Sequence, residues 1–243
     1  MRTRGPFMIV VGGSAGGINA ACKLLRQLKP EMNAVIIVIL HIPERGESQI
    51  FVRRLQGSTG LPCRVARGGM AFKRGHVYLA PPGYHWLIGK KEFRLGKGPP
   101  EGGWRSSIDT SFRSAAASWD SNCIGIILSG LLSDGTAGVE AIKRCGGQSI
   151  AQELSEAEYP NMPLSVLRNV GADECLRLVS MGKWLISATE KSPKAAEVPE
   201  DILMETRMAE EASSSVERMA PFNPSIYSCP ECGGALWDVK GAN

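Results

Sequence analysis

The sequence predicts an α/β fold: a doubly wound, mostly parallel sheet with helices on both faces and an antiparallel hairpin excursion. Three observations point there. Near-continuous apolar runs, rich in β-branched residues, recur at 7–12, 34–40 and 123–128. That is the pattern of strands buried on both faces. Segments with apolar residues at helical spacing alternate with these runs. The chain has 243 residues, of which 43% are hydrophobic, so a large core can be buried.

The elements follow in order. Residues 7–12 form the first strand. A helix is expected over Ile18–Leu28, with Ala21, Leu24, Leu25 and Leu28 on one stripe, and Lys29-Pro30 stops it. Ala34–Leu40 is the second strand, which completes a right-handed βαβ unit. Glycines and prolines at 68–69, 75, 81–83 and 89 then punctuate short strands such as His76–Leu79, with a hairpin expected over Tyr84–Leu95. Residues 96–105 read as a mobile Gly/Pro-rich surface loop. A helix over about Ile108–Trp119 leads to a third strand, Cys123–Leu128, and to the turn Ser129–Gly135. The next helix begins near Ala137 and ends at Cys145-Gly146-Gly147, with glycine where a helix C-terminus favours it. Ser149–Gln152 is a fourth strand. Such alternation describes an open parallel sheet wrapped by helices. Residues 1–190 read as one domain. Residues 191–243 read as a polar linker (Lys191–Pro199), a charged helix (Glu200–Ala212) and a tail.

Composition narrows the function. The net charge of +4 is small and spread along the chain, so no nucleic-acid footprint is expected. A mildly basic surface favours an acidic protein partner. No stretch is long enough to span a bilayer, and the apolar run after Met1–Pro6 is too short for a secretory signal. Of seven cysteines, Cys22, Cys63, Cys123, Cys145 and Cys175 are isolated, a usage that suits the reducing cytoplasm. Cys229 and Cys232 form a C-x-x-C knuckle, half of a zinc site. With no second pair after it, no stable metal is expected there.

Three polar residues share one kind of position. Ser14 follows the first strand within Gly12-Gly13-Ser14-Ala15-Gly16-Gly17, His41 follows the second, and Asp134 lies in the turn after the third. Ligands of open parallel sheets bind beyond the carboxyl ends of the strands. Serine, histidine and aspartate are what acyl transfer needs. The imidazole takes the serine proton, and the carboxylate fixes the imidazole tautomer and stabilises the imidazolium. The N–H of Ala15 is a candidate oxyanion donor. The chain order Ser, His, Asp differs from that of α/β-hydrolases.

Each residue also has a plainer reading. On local pattern alone the glycine loop is as good a phosphate cradle as a nucleophile turn, His41 could cap or pack, and Asp134 could cap the helix after it. A nucleotide site is the weaker alternative. The loop lacks the G-x-G-x-x-G spacing, His41 stands where an acidic residue would end the second strand, and there is no Walker lysine. A fold that has kept its shape and lost turnover, acting as a binding module, is the other alternative. His76 and His85 have no metal-ligand spacing and read as structural.

Taken together the motifs resemble the catalytic domain of the CheB-type chemotaxis receptor protein-glutamate methylesterases. The resemblance spans about residues 7–188. It rests on residues 12–17, His41-Ile42-Pro43, Tyr78-Leu79-Ala80-Pro81-Pro82-Gly83-Tyr84-His85, residues 129–138, residues 146–152 and Asn161-Met162-Pro163, a step that opens a helix in that family. It implies Ser14 as nucleophile, His41 as base and Asp134 as its orienting carboxylate. The implied reaction is hydrolysis of glutamyl methyl esters on a methyl-accepting chemoreceptor, with deamidation of receptor glutamines as a second activity and no cofactor. A signalling kinase or a receptor methyltransferase is a further expected partner. Family members usually carry a receiver domain ahead of the catalytic one, and none is expected here. Ala15 stands where the family often has threonine. Leu131, implied beside the oxyanion, stands where it commonly has methionine. Only a backbone N–H is required at either place. The C-x-x-C tail is similar to the first half of a zinc-ribbon-like extension on stand-alone relatives.

Overall fold

The structure, a computed structural model, describes residues 5–43, 47–96, 100–193 and 195–214, together with strands 222–228 and 235–239. A seven-stranded sheet is built from β1 (Phe7–Gly13), β2 (Ala34–Leu40), β3 (Cys63–Val65), β4 (Val77–Leu79), β7 (Cys123–Ile127), β8 (Gln148–Gln152) and β9 (Glu174–Leu176). Its spatial order is β3-β4-β2-β1-β7-β8-β9, and every pairing in it is parallel. A separate antiparallel hairpin joins β5 (His85–Ile88) to β6 (Phe93–Gly96), where the glycine punctuation places the excursion.

Alternation along the central strands explains the layers. Phe7, Ile9 and Val11 of β1 face one core, while Met8 and Val10 face the other. In β2, Ala34, Ile36, Val38 and Leu40 face the first core, and Val35, Ile37 and Ile39 the second. All are buried, and full burial of such a side chain is worth roughly 1.5–3 kcal/mol. The first core is covered by α1 (Gly17–Leu25), α2 (Ser48–Gln56) and α6 (Leu178–Glu190). The second is covered by α3 (Ile108–Trp119), α4 (Thr136–Arg144) and α5 (Asn161–Asn169), with the hairpin's Trp86, Ile88 and Phe93. This is the doubly wound arrangement expected from the apolar runs.

Some boundaries shift. The first helix ends at Leu25 rather than Leu28, because the N–H groups of Gln27 and Leu28 reach back only three residues, to Leu24 and Leu25. Leu28 is still buried, so the stripe is satisfied without a regular last turn. Helix α7 (Glu200–Ser214) packs against α3 and β6 and inserts Ile202 into the second core. Strands β10 (Phe222–Ser228) and β11 (Ala235–Val239) form an antiparallel pair. Cys229 and Cys232 lie outside the described residues. Among the described residues, no helix is long and apolar enough to cross a membrane.

Candidate active site

Parallel register brings the site together. Gly13 pairs with Leu40 at the carboxyl ends of β1 and β2, so Ser14 and His41 are the next residues on adjacent strands. The ladder runs one step further, with the His41 N–H donating to the Gly13 carbonyl at 3.3 Å. On the other side of β1, the Leu128 N–H donates to Gly12 at 2.9 Å and the Ser14 N–H to the Ser129 carbonyl at 3.0 Å. The loop after β7 therefore passes beside Ser14 on its way to Asp134.

The three side chains meet. His41 Nδ1 lies 3.2 Å from Ser14 Oγ, and His41 Nε2 lies 2.7 Å from Asp134 Oδ2. The His41 and Asp134 side chains are only 4% and 8% exposed, so water competes weakly for these bonds. A carboxylate can only accept, so it fixes the neutral ring's proton on Nε2 and leaves the Nδ1 lone pair facing the serine.

Asp134 does not cap α4, which has Gly135 at its N-cap and no side-chain cap. It sits instead on the N-terminus of α3. The Ile108 N–H donates to Oδ2 at 2.8 Å, and the Asp109 N–H to Oδ1 at 3.0 Å. The Ser107 hydroxyl donates to Oδ1 at 3.2 Å. Burial pushes the Asp134 pKa up, but the His41 bond and the α3 amides outweigh it and hold the carboxyl below its ordinary value. Its neighbour Asp109 goes the other way. Burial and the Asp134 carboxylate push Asp109 well above its ordinary value, although Gly138 N–H donates to its Oδ1 at 2.6 Å.

The serine turn differs from a strained nucleophile elbow. Ser14 is not among the non-glycine residues with positive φ, and the left-handed step falls on Gly16 at φ 73°. Ser129 secures this turn by donating to the Ala15 carbonyl at 2.8 Å and accepting from the Tyr159 N–H at 2.9 Å. Gly130 is a close approach, since a Cβ there would lie 2.0 Å from Met162 Sδ and 3.1 Å from Ser14 Cβ. Among the described residues, the Ala15 and Leu131 N–H groups make no hydrogen bond, which leaves both available to a ligand. Leu131 and Leu132 are 47% and 73% exposed beside the site, and Leu132 has φ 64°.

The loop over 96–105, read as a mobile surface segment, contains a residue that sequence reasoning missed. Trp104 lies flat against His41, with ring centroids 4.4 Å apart and planes 7° from parallel. The overlooked signal was Gly102-Gly103 directly before it, a pair suited to a tight hairpin turn. His76 Nδ1 pairs with the Arg74 carbonyl at 2.9 Å, and His85 is buried at the start of β5. Among the described residues, no cluster of three His, Cys, Asp or Glu side chains is arranged to hold a metal.

Known proteins are similar to this chain over most of its length. The sequence profile described as CheB methylesterase matches residues 9–185. A Leptospira interrogans protein provisionally named protein-glutamate methylesterase/protein-glutamine glutaminase is 36% identical over 179 residues, covering 73% of this chain and 92% of that protein. A Burkholderia lata protein named protein-glutamate methylesterase/protein-glutamine glutaminase 3 is 34% identical, covering 74% of this chain. The chain spans only 50% of that relative's length, and likewise 50% of a 31% identical Symbiobacterium thermophilum protein of the same name. The crystal structure of the Thermotoga maritima CheB methylesterase catalytic domain superposes with a TM-score of 0.72 at 30% identity, covering 75% of this chain and 98% of that one.

Proposed function

The chain belongs to the CheB methylesterase family, and on that premise we propose that it hydrolyses glutamate γ-methyl esters on a chemoreceptor, with Ser14 as nucleophile. The observation that carries the reading is the continuous path from Ser14 Oγ through both nitrogens of His41 to Asp134, at 3.2 and 2.7 Å. A hydroxyl is a weak nucleophile at neutral pH, and this path supplies the base that activates it.

The chemistry runs in two halves. Ser14 Oγ attacks the ester carbonyl carbon while its proton passes to His41 Nδ1. The resulting imidazolium is stabilised by Asp134 at Nε2. The Ala15 and Leu131 N–H groups hold the oxyanion of the tetrahedral intermediate. The intermediate collapses, the C–O bond to the methoxy group breaks, and His41 Nδ1–H protonates the departing oxygen to give methanol. Water then attacks the acyl-serine with His41 again as base, releasing the glutamate carboxylate and restoring Ser14. With a glutamine side chain the leaving group is ammonia, and the same steps give deamidation.

The test is methanol release from a methyl-esterified chemoreceptor. The parent chain is expected to release it and Ser14→Ala to release none above background. Equal rates for the two overturn the reading. A chain that is inert yet binds the receptor is the binding module instead.

A further inference from the structure

We propose that Trp104 is a positioning residue for His41, and that helix α7 holds it in place through Arg113. The inference deepens the triad reading above and rests on it.

The His41 ring is fixed from three directions. Ser14 engages Nδ1, Asp134 engages Nε2, and the Trp104 indole covers one face at 4.4 Å. Two in-plane hydrogen bonds leave a ring free to rock about the line between them, and a stacked neighbour removes that freedom. Trp104 thus acts through His41, on a ring face that neither hydrogen bond uses.

The backbone aims Trp104 deliberately. Glu101 and Trp104 exchange reciprocal N–H···O bonds of 3.1 and 3.0 Å across Gly102 and Gly103, whose φ values are 57° and 81°. Both central residues are left-handed, the signature of a type I′ turn. Two residues past Trp104, the buried Ser106 takes φ 107°, a costly conformation for a residue with a side chain. Immediately after it come Ser107, Ile108 and Asp109, which hold Asp134. One segment, residues 101–109, therefore carries both the stacking ring and the bed of the aspartate.

The turn is anchored from outside. Arg113 Nη2 lies 3.2 and 3.3 Å from the two Glu101 carboxylate oxygens, and Arg113 Nη1 lies 3.1 Å from Glu205 of α7. The Arg113 and Glu101 side chains are each 15% exposed, so this pair is shielded from solvent more than the Glu205 end, at 55%. Arginine's planar fork suits a bridge between two carboxylates. Helix α7 is itself docked by buried Ile202, with solvent-exposed pairs of Asp201 with Arg144 and Glu210 with Arg94 along its flank. All of α7 lies beyond the segment that the family profile matches.

The test is the rate at which a fluorophosphonate labels Ser14, a reaction that needs the His41 base but no receptor. With the full chain, Trp104→Ala is expected to lower the saturating labelling rate at least about tenfold without changing the half-saturating concentration, since ångström-scale misplacement of a catalytic group costs up to ~10²-fold. Trp104→Phe, which still stacks, is expected to stay within about threefold of the parent. Glu205→Gln is expected to slow labelling about two- to threefold, as suits a half-exposed ion pair, and to add nothing when Trp104→Ala is already present. Labelling of Trp104→Ala at the parent rate, or of Trp104→Phe as slowly as Trp104→Ala, overturns the positioning role. An undiminished Glu205→Gln effect in the Trp104→Ala background, or none in the parent, overturns the α7 brace. A parent chain that is not labelled at Ser14 overturns the triad reading itself.

Discussion

Asp134 and Asp109 are sequence neighbours of no one helix, yet they share one patch and titrate in opposite senses. Asp134 is held below its ordinary pKa by the bond to His41 and by the α3 amides, so its contribution to stability is full above about pH 4 and is lost as pH falls through its lowered folded value. Asp109 is pushed up by burial and by Asp134, so its contribution is full below about pH 4 and is lost as pH rises through its raised folded value. Asp109→Asn keeps an acceptor for the Gly138 N–H and removes that titration. Its denaturant midpoint is expected to fall less than the parent's as pH is raised above 4, and parallel pH profiles would count against the assignment. For Asp134→Asn the expectation is a loss of about 10⁴-fold in kcat, because the amide cannot hold the imidazole in the right tautomer; ester turnover kinetics of the purified variant check it. Leu132, left-handed at φ 64° and 73% exposed, gains little from burial to offset its backbone strain. Leu132→Gly is expected to stabilise the fold by about 1 kcal/mol, read as a rise in melting temperature.

Elements differ in how plainly the sequence announces them. The three long central strands are continuous apolar runs and are found where those runs lie. The edge strands β3 and β9 are three residues each and only partly buried, so they leave almost no pattern. Helix α2 buries only Val52 and Leu55 of its nine residues, too few to mark a stripe. The segment at 96–105 conceals its role for a different reason. Its Gly102-Gly103 pair does make a turn, as composition suggests, but what matters is the ring that the turn presents, and ring contacts across 63 positions of chain are invisible to local pattern. The charged face of α7 invites the idea that ion pairs dock it. Arg144 and Asp201 are, however, 43% and 54% exposed, and ion pairs so open to solvent contribute little. Ile202 is 3% exposed, and Ile202→Ala is expected to cost about 2–4 kcal/mol. Urea unfolding of Asp201→Asn and Ile202→Ala should rank them in that order.

At the scale of the molecule, the site follows from topology. The chain leaves β1 toward β2, β4 and β3 on one side, and later fills β7, β8 and β9 on the other. Beyond the carboxyl ends of such a reversal a crevice opens, and it is where open α/β sheets bind their ligands. Ser14, His41 and Asp134 were legible because each follows a strong strand. The hydrogen-bond bed under Asp134 was not, because it depends on how the loop after β7 meets the start of α3. The central claim is that this crevice forms an acyl-enzyme on Ser14. Rapid-quench mass spectrometry of the chain mixed with a glutamyl methyl ester substrate tests it directly. The account predicts a methanol burst of about one equivalent per chain, with the acyl mass on the peptide that contains Ser14. Methanol release at the parent rate from Ser14→Ala, or turnover with no adduct on that peptide, would contradict it.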